Sequence, residues 1–524
     1  AGPSAVKNGA WLSFAASLSM MQISGTIYGF GIWSATVKQA NTYFYNQAEV
    51  ETLALCANLG CYIVLDSGYL TTKFGTVPVF ALGCIYSAVG YGMLWLAIVV
   101  FPGQFPYWAM ALFCVIYGHG CGTIDNAAMT QVMSDFSQYK GYACGSMKAY
   151  YALAPAAMAT IYKGAFAPDQ APYLLFLAIL ASVAGISFVP IVAACKGAVD
   201  ELHSLVERKF KVLAAVIMQF AVLFYGVSSY GQHMSKMKLR MVLSAIAVGF
   251  CAPFSLWFSC TPRKERARAA HEDGSTSDVG SASSANSVAG VSEDVSGYGM
   301  LAQLDFWLLM CVCTVAQGGG LMMINNAAQI LPAFEGHADA QRAISMVATI
   351  SVFNAVGRLS FGLGSEVVQK RICRPWFLVM SLSIISVAYL LFLIFGVSAL
   401  WVASATVGFG YGGLWGVQPT LVMELFGHRD FAFKYACSSL SAAAGSLLFS
   451  DLLAGKLYDA EAEARGELPN CYAPSCFSKA FAVCVACELL AILIAAWLVI
   501  RTRLGYTAVN GDPGSETTDV DSDE

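Results

Sequence analysis

The chain has 524 residues, of which 57% are hydrophobic and 12% are charged, and its mean hydropathy is +0.61. A soluble domain carries about 25% charged residues, so this composition excludes an ordinary soluble protein. The net charge of −4 gives no reason to expect a nucleic-acid partner, and most of the 17 cysteines lie in apolar runs, where a thiol behaves as a small hydrophobic side chain.

Apolar runs long enough to cross a bilayer recur along the whole chain. A hydrocarbon core about 30 Å thick needs about 20 apolar helical residues, and these runs lack the alternation of membrane barrel strands. We therefore predict an all-α polytopic membrane protein with about 14 spans. The predicted spans are 10–34, 51–70, 77–100, 107–132, 143–163, 172–195, 212–231, 239–259, 303–332, 343–363, 375–396, 397–423, 432–455 and 478–500.

The spans divide into two bundles of six helices, with two additional helices between the bundles. The linker after the additional helices begins with basic residues and continues with Ser, Gly and Asp, which bury too little apolar surface to order. The predicted segments are an N-terminal tail (1–9), a first bundle (10–200), two additional transmembrane helices (201–260), a disordered cytoplasmic linker (261–300), a second bundle (301–503) and a disordered acidic tail (504–524).

The Lys and Arg residues predict the side of the membrane that each loop faces. With the N-terminus in the cytoplasm, about 17 basic residues fall inside and about nine fall outside, as the positive-inside rule expects. Both termini are then cytoplasmic, and the membrane is the plasma membrane or an organelle membrane. Lys236, Lys238 and Arg240 fall on the outer side in this arrangement, and all later loops invert if one of the two additional helices does not cross.

One pair of cysteines lies outside the apolar runs. Cys471 and Cys476 flank a polar Tyr-Ala-Pro-Ser turn before the last span. They form a disulfide if the loop faces an oxidising compartment, and otherwise they are two free thiols.

The two halves of the chain contain an internal repeat. Gly118-His-Gly-Cys-Gly in the fourth span has a counterpart, Gly408-Phe-Gly-Tyr-Gly, in the twelfth, at an offset of about 290 residues. The alignment continues without a gap from Val132 to Phe136 and from Val422 to Phe426. Two parallel six-helix repeats are typical of the major facilitator architecture, in which the substrate binds between the halves near mid-membrane.

Longer stretches resemble the Nodulin-like group of the major facilitator superfamily across nearly all of the membrane region. The stretches are Gly25-Thr-Ile-Tyr-Gly-Phe-Gly31, Asn58-Leu-Gly60, Tyr139–Lys148, Gly318–Ile330 and Asn354-Ala-Val-Gly-Arg358. Gly68–Gly75 is similar to the loop signature Gly-x-x-x-Asp-Arg-x-Gly, with Thr72 in place of the acid and Lys73 in place of Arg. The resemblance implies a transporter without a cofactor, with Lys73 in a weakened gating loop.

Three ionisable residues are candidates for coupling. Asp125 and Lys148 lie at similar depths on helices that run in opposite directions, so they can meet. They form either a coupling ion pair or a structural pair in which Lys148 reaches toward the headgroups. A free histidine has a pKa of about 6.5, which suits proton coupling at His119. The alternative is a packing histidine.

Uncharged polar side chains mark a candidate substrate cavity. Gln317 precedes Gly318–Gly320, which loosens a helix near its middle and is typical of transporter binding sites. The alternative is close helix packing with amide hydrogen bonds. The predicted substrate contacts are Gln317, Asn325, Asn326, Gln22, Tyr28, Asn58 and Gln418.

Arg358 lies deep in its span and needs a partner, for which Glu366 and Glu424 are the candidates. A latch that closes the inner gate is favoured over substrate binding. If the substrate is an anion, Arg358 and Lys148 are the cations that receive it.

The sequence therefore predicts a secondary active transporter that moves a small polar or anionic solute, with a carboxylate among the candidates, by alternating access. Its partners are the solute and the bilayer, and we expect a monomer coupled to a proton or solute gradient. We find no phosphate-binding loop and no His-Glu-x-x-His metal motif, so we expect neither an enzyme nor a metal. The alternative from another class is a non-transporting receptor or sensor on the same fold.

Overall fold

The computed structural model describes residues 9–33, 36–37, 43, 45, 47–166, 171–195, 197, 199, 201, 203–230, 294–337, 340–369, 371–467 and 471–510. Several predictions concern residues outside this set. They are those for the tail residues 1–8, the basic cluster of Lys236, Lys238 and Arg240, the span 239–259, the linker residues 261–293 and the tail residues 511–524.

The regular elements of the described residues are helices, which confirms the all-α class. Sixteen α-helices carry labels here, and short turns join several of them. They are α1 (Gly9–Ser24), α2 (Gln47–Tyr62), α3 (Leu65–Phe74), α4 (Thr76–Trp95), α5 (Tyr107–Asp135), α6 (Lys140–Ile161), α7 (Ala171–Cys195), α8 (His203–Tyr230), α9 (Leu304–Asn325), α10 (Ala327–Glu335), α11 (Ala340–Val368), α12 (Trp376–Phe395), α13 (Leu400–Phe426), α14 (Phe431–Gly445), α15 (Lys456–Arg465) and α16 (Ser475–Asn510).

Shorter helical stretches lie between the labelled helices, and three of them matter here. A 3₁₀ stretch, Gly25–Gly29, and a short helix, Phe30–Trp33, continue α1. A π-helical stretch, Ser446–Gly455, joins α14 to α15. The last helix, α16, continues to Asn510, past residue 503, where the sequence places the end of the second bundle.

Nine helical stretches within the described residues are long and apolar enough to cross a membrane. One of them, Trp376–Phe426, bends at Gly396, whose φ of 53° favours glycine, and so divides into α12 and α13. The helices α1, α6 and α8 lie where further spans are predicted. The fold is that of a polytopic helical membrane protein, while the predicted total of 14 spans is not confirmed.

The internal repeat has a structural counterpart in the packing of α5 and α13. Gly122 of α5 packs directly on the carbonyl of Cys61, and Gly412 of α13 packs in the same way on the carbonyl of Asn354. A Cβ at either glycine would overlap that carbonyl, so each close approach requires glycine. In each half the glycine-rich helix therefore packs between the same two neighbours, α2 and α4 in the first and α11 and α12 in the second.

The two halves meet mainly where α6 packs against α11. An ideal Cβ at Gly145 would lie 2.9 Å from the Cα of Gly362, so the two backbones are in direct contact.

We call the end of the molecule that carries Lys140 and Arg374 the basic end. The opposite end, where Cys471 and Cys476 are joined in a disulfide, we call the disulfide end.

The helix α8, the first of the two additional helices, packs against both halves through α6 and α11. Its Phe210 stacks on Tyr142 of α6 and meets the ring of Trp11 in α1. Lys209 is buried, pairs with Glu201 at 2.9 Å and lies over the ring of Trp11. The base of α8 is therefore firmly attached to the first bundle near the basic end.

Candidate functional site

A small cavity lies between the two halves. Its lining residues come from both bundles: Tyr28, Cys61, Tyr62, Val64, Gly122, Asp125, Asn126, Lys148, Tyr151, Arg358, Trp415, Tyr435 and Ser439. Its volume is about 20 Å³, which is enough for about one water molecule. Asp125 lies ten residues before the end of α5, so the cavity is about 15 Å from the basic end.

Asp125, Lys148 and Tyr435 form a closed triangle of hydrogen bonds. The Lys148 Nζ donates to Asp125 Oδ1 at 2.6 Å and to the Tyr435 hydroxyl at 2.5 Å. The Tyr435 hydroxyl donates to Asp125 Oδ2 at 2.8 Å. Asp125 and Lys148 belong to the first half and Tyr435 to the second, so this triangle joins the halves. The predicted meeting of Asp125 and Lys148 is observed.

Aromatic rings surround the Lys148 ammonium group. Its Nζ lies 5.6 Å from the ring centre of Tyr151, 5.2 Å from that of Trp415 and 5.1 Å from that of Tyr435. Ring faces attract cations at these distances. The rings thus stabilise the buried cation and give the cavity apolar walls.

Arg358 lies beside Lys148 and has a different set of partners from the predicted one. Its Nε donates to Asn354 Oδ1 at 2.8 Å and its Nη1 donates to the Lys148 carbonyl at 3.0 Å. The Nη2 atom is buried and has no hydrogen-bond partner among the described residues. The prediction that Glu366 or Glu424 pairs with Arg358 is wrong, because Glu366 lies two turns further along α11, about 12 Å away along the axis.

The charges at the cavity do not cancel. Asp125 is the one carboxylate among the lining residues, and it is engaged with Lys148. Arg358, of which 1% is exposed, forms no ion pair with a described carboxylate. The lining therefore carries one positive charge in excess.

Three tyrosine hydroxyls lie next to the cavity in a chain that crosses between the halves. The Tyr28 hydroxyl is 3.1 Å from the Tyr62 hydroxyl and 3.1 Å from the Tyr411 hydroxyl. Tyr28 lies on the 3₁₀ stretch that follows α1, and Tyr411 belongs to α13. The chain joins the first half to the second.

The other predicted substrate contacts lie away from the cavity lining. Gln317 donates to Gln418 Oε1 at 2.6 Å and accepts from Ser441 at 2.6 Å, which satisfies these amides inside the second bundle. Asn325 and Asn326 donate to the Ser450 hydroxyl at 3.1 and 3.2 Å. Gln22 donates to the Tyr150 carbonyl at 2.6 Å, and Asn58 is buried in α2. Of the predicted substrate contacts, Tyr28 is the one that lines this cavity.

His119 also lies outside the cavity lining, where it has a partner that the sequence reasoning missed. Its Nε2 is 3.0 Å from Asp66 Oδ2, and its ring packs on Tyr86. The side chain of Asp66 is 55% exposed on the outer surface of the bundle. His119 is therefore a partner of Asp66 and is not among the residues named above as lining the cavity.

A second set of ion pairs joins the halves at the basic end. Arg374, in the loop before α12, pairs with Glu366 at 2.8 Å and with Glu424 at 2.9 Å. Glu366 also accepts from the backbone N–H of Gly141 at 2.8 Å, and Lys140 lies 3.6 Å from Glu424. We call Lys140, Glu366, Arg374 and Glu424 the basic-end clamp. Glu366 and Glu424 thus belong to one cluster, with Arg374 in the place predicted for Arg358.

Lys73, the remaining gating candidate, lies near the basic end but is not part of the basic-end clamp. Its Nζ lies over the rings of Tyr69 and Phe74 at 5.7 and 5.4 Å. Gly68 of the same helix packs against the Ala432 carbonyl in α14, with an ideal Cβ 2.8 Å from it. The loop thus contacts the other half through its glycine.

The sequence reasoning missed Tyr151, Trp415 and Tyr435, because aromatic residues in apolar helices look like ordinary packing. One signal was available for Trp415. In the repeat alignment that pairs Gly118 with Gly408, Trp415 takes the position of Asp125. Among the residues that the structure describes, no three His, Cys, Asp or Glu side chains form a metal site.

Comparisons with known proteins cover both halves of the chain. The Nodulin-like family model matches residues 10–255, and the model of the NFD4 C-terminal domain matches residues 288–508. Protein NUCLEAR FUSION DEFECTIVE 4 of Arabidopsis thaliana is 21% identical over 97% of this chain and 91% of its own length. The uncharacterized MFS-type transporter YhjX of Escherichia coli is 31% identical over 27% of this chain and 35% of its own length. A crystal structure of a variant of the Escherichia coli fucose:proton symporter FucP covers 93% of this chain and 98% of its own chain, at 15% identity and a TM-score of 0.47.

Proposed function

Since this chain belongs to the Nodulin-like group of the major facilitator superfamily and is a membrane transporter, we propose that it carries a small organic anion, a carboxylate by preference, by alternating access. One observation supports this substrate class above the others. The buried Arg358 Nη2 has no hydrogen-bond partner among the described residues, and Arg358 belongs to a cavity lining with an excess positive charge. A buried charge in a membrane is costly unless a counter-charge joins it.

A carboxylate fits the donors that surround the cavity. A guanidinium group binds carboxylates through charge-assisted hydrogen bonds, and Nη2, which lacks a hydrogen-bond partner within the described ranges, can donate one. The Lys148 ammonium group is the second donor, and the solute carboxylate would compete with Asp125 for it. The rings of Tyr151 and Trp415 supply apolar walls for the organic part of the solute.

The size of the cavity and the contacts that close it support the proposal of alternating access. The cavity has room for about one water molecule and so is too small for an organic acid. On this proposal the halves must separate before a solute enters. Separation at one end breaks the Tyr28–Tyr411 hydrogen bond, and separation at the basic end breaks the clamp. Glu366, Glu424 and Lys140 are then gating residues, with Arg374 as their central cation.

We assign coupling to Asp125 and Lys148, because both line the cavity and the solute carboxylate would disturb their ion pair. His119 is a weaker candidate, since its partner Asp66 lies on the outer surface. The driving force is a proton or solute gradient. We further propose that the carrier acts as a monomer in the plasma membrane or an organelle membrane, with the basic end and both termini in the cytoplasm.

The test is uptake by the purified full-length protein in liposomes. Labelled L-lactate, pyruvate and oxalate are the anionic probes, glycerol is the neutral probe and choline is the cationic one. We expect saturable uptake of at least one anion, which Arg358→Gln abolishes. The matched control is Arg465→Gln, an exposed arginine at the end of α15. Uptake of glycerol or choline alone would refute the substrate class, and binding without uptake by any probe would favour the receptor alternative.

A further inference from the structure

A buried carboxyl group in the second bundle has no role in the function described so far. Glu488 lies 13 residues into α16, about 20 Å from the disulfide end and so near the middle of the span. None of its surface is exposed, whereas the next residues, Leu489 and Leu490, are 54% and 60% exposed. The helix α16 therefore turns one face outward and holds Glu488 on its inner face.

The surroundings of Glu488 contain no positive charge among the described residues. Its Oε1 atom accepts a weak hydrogen bond from Cys484 Sγ at 3.6 Å, and its buried Oε2 atom has no hydrogen-bond partner in the part of the chain that the structure describes. The titratable groups that face it are the thiols of Cys484 and Cys487 on α16 and the hydroxyl of Tyr389 on α12. The helix α9 presents the backbone of Gly319, where an ideal Cβ would lie 2.7 Å from Oε1.

These contacts suit a carboxylic acid and do not suit a carboxylate. An ionised carboxylate in this site would be a buried charge with one weak donor and no cation among the described residues. The neutral acid avoids that desolvation cost. The surroundings therefore favour a proton on Glu488 in this closed conformation.

The backbone of α9 connects Glu488 to the cavity. Gly319 lies against Glu488 on one side, and its carbonyl accepts a hydrogen bond from the Tyr389 hydroxyl at 2.5 Å. The next residue, Gly320, packs directly on the ring of Tyr411, whose hydroxyl bonds to Tyr28 beside the cavity. The backbone of Gly319 and Gly320 thus lies between Glu488 and the hydrogen-bonded tyrosines beside the cavity.

We propose that Glu488 is a proton-binding site of the carrier, loaded while the halves are closed and emptied when α9 moves and water reaches the carboxyl group. The inference rests on the proposed function, since it names the coupling ion of the same transporter. The step balances simply: a carboxylate takes up one proton to give the acid and later returns it. A monoanion at Arg358 together with one proton at Glu488 makes the transported charge zero.

The first experiment measures protonation without any solute. Infrared spectra of the full-length protein in liposomes at neutral pH should contain the carbonyl stretch of a buried protonated carboxylic acid. Glu488→Gln should remove that band, and Glu461→Gln, at a carboxyl that pairs with Lys479 on the exterior, should keep it. A wild-type spectrum in which Glu488→Gln removes nothing would show an ionised Glu488 and overturn the inference.

The second experiment separates coupling from folding, with whichever of L-lactate, pyruvate or oxalate gives flux as the probe. Glu488→Gln, fixed in the neutral form, should keep solute exchange across the membrane and lose accumulation driven by a proton gradient about tenfold. Glu488→Asp should restore accumulation, which a merely structural role would not predict. Accumulation by Glu488→Gln at the wild-type level would refute the inference. Wild-type flux that does not depend on the proton gradient would also refute the inference, while the proposed transport function would stand. No wild-type flux of any probe would refute the proposed function instead.

Discussion

Removal of the central cation of the basic-end clamp should open that end of the transporter. Arg374 is 1% exposed and holds two carboxylates, Glu366 and Glu424, that are themselves nearly buried. Arg374→Met keeps the length of the side chain and leaves both carboxylates without their main partner. Breaking a buried pair in this way costs about 3–5 kcal/mol.

The cost applies to the closed conformation, because an open basic end lets water hydrate both carboxylates. Lys140, 3.6 Å from Glu424, still attracts that carboxylate in the variant. We therefore expect the free energy of the closed conformation to rise by about 2 kcal/mol relative to the open one. Every 1.4 kcal/mol is about a tenfold change in that equilibrium, so the open population should rise by more than tenfold.

The thiol of Cys144 reports on this opening. It is fully buried in α6 and lies within electrostatic range of both Lys148 and Arg374, between the clamp and the cavity. The measurement is the rate of maleimide labelling at Cys144, resolved from the other cysteines by peptide mass spectrometry. Cys313, buried in α9, is the internal reference, and Arg371→Met, at an exposed position in the same loop, is the matched control. Unchanged labelling of Cys144 in Arg374→Met would refute the idea that the clamp holds this end closed.

Two further predictions follow from the interface. Gly362→Ala should lower the thermal stability and the transport rate, because the added Cβ would overlap Gly145. The control Gly364→Ala, with open space around the added Cβ, should change neither. Equal melting temperatures for the two variants would contradict the close contact of α6 and α11. Burial and the nearby Lys140 lower the pKa of His428, in the loop between α13 and α14, below its usual range, so the folded state binds fewer protons than the unfolded state. Stability should therefore fall as the pH drops from about 7.5 to about 5.5, across the ordinary pKa of about 6.5. His428→Gln should reduce that fall in melting temperature, and an identical pH profile would argue against a depressed pKa.

The sequence predicted the architecture well, because membrane spans follow from length and hydropathy and the repeat fixed the pairing of the halves. It also predicted the meeting of Asp125 and Lys148, since opposite helix directions place two residues at one depth. The sequence did not predict the partners of Arg358. Glu366 and Glu424 were assigned to Arg358, whereas in the structure they pair with Arg374. Arg374 lies in a loop next to Pro375, and sequence alone does not tell how far such a loop folds back between helices.

The amides were harder to interpret than the charges. Gln317 and Gln418 lie beside glycines, as cavity residues do, yet they bond to each other across α9 and α13. An amide carries both donor and acceptor, so two amides satisfy each other without a solute. An arginine lacks that option, which explains why Arg358 was the more informative residue.

The attachment of α8 to both bundles bears on the proposed rocking of the halves. Where α8 covers α6 and α11, one of its two contacts must loosen whenever those helices move apart. In water that loss would expose apolar surface at a considerable cost, but here acyl chains take the place of the departing helix. Lipid is about as apolar as the helix surface that it covers. Loosening one contact of α8 would therefore add little free-energy cost to the proposed motion.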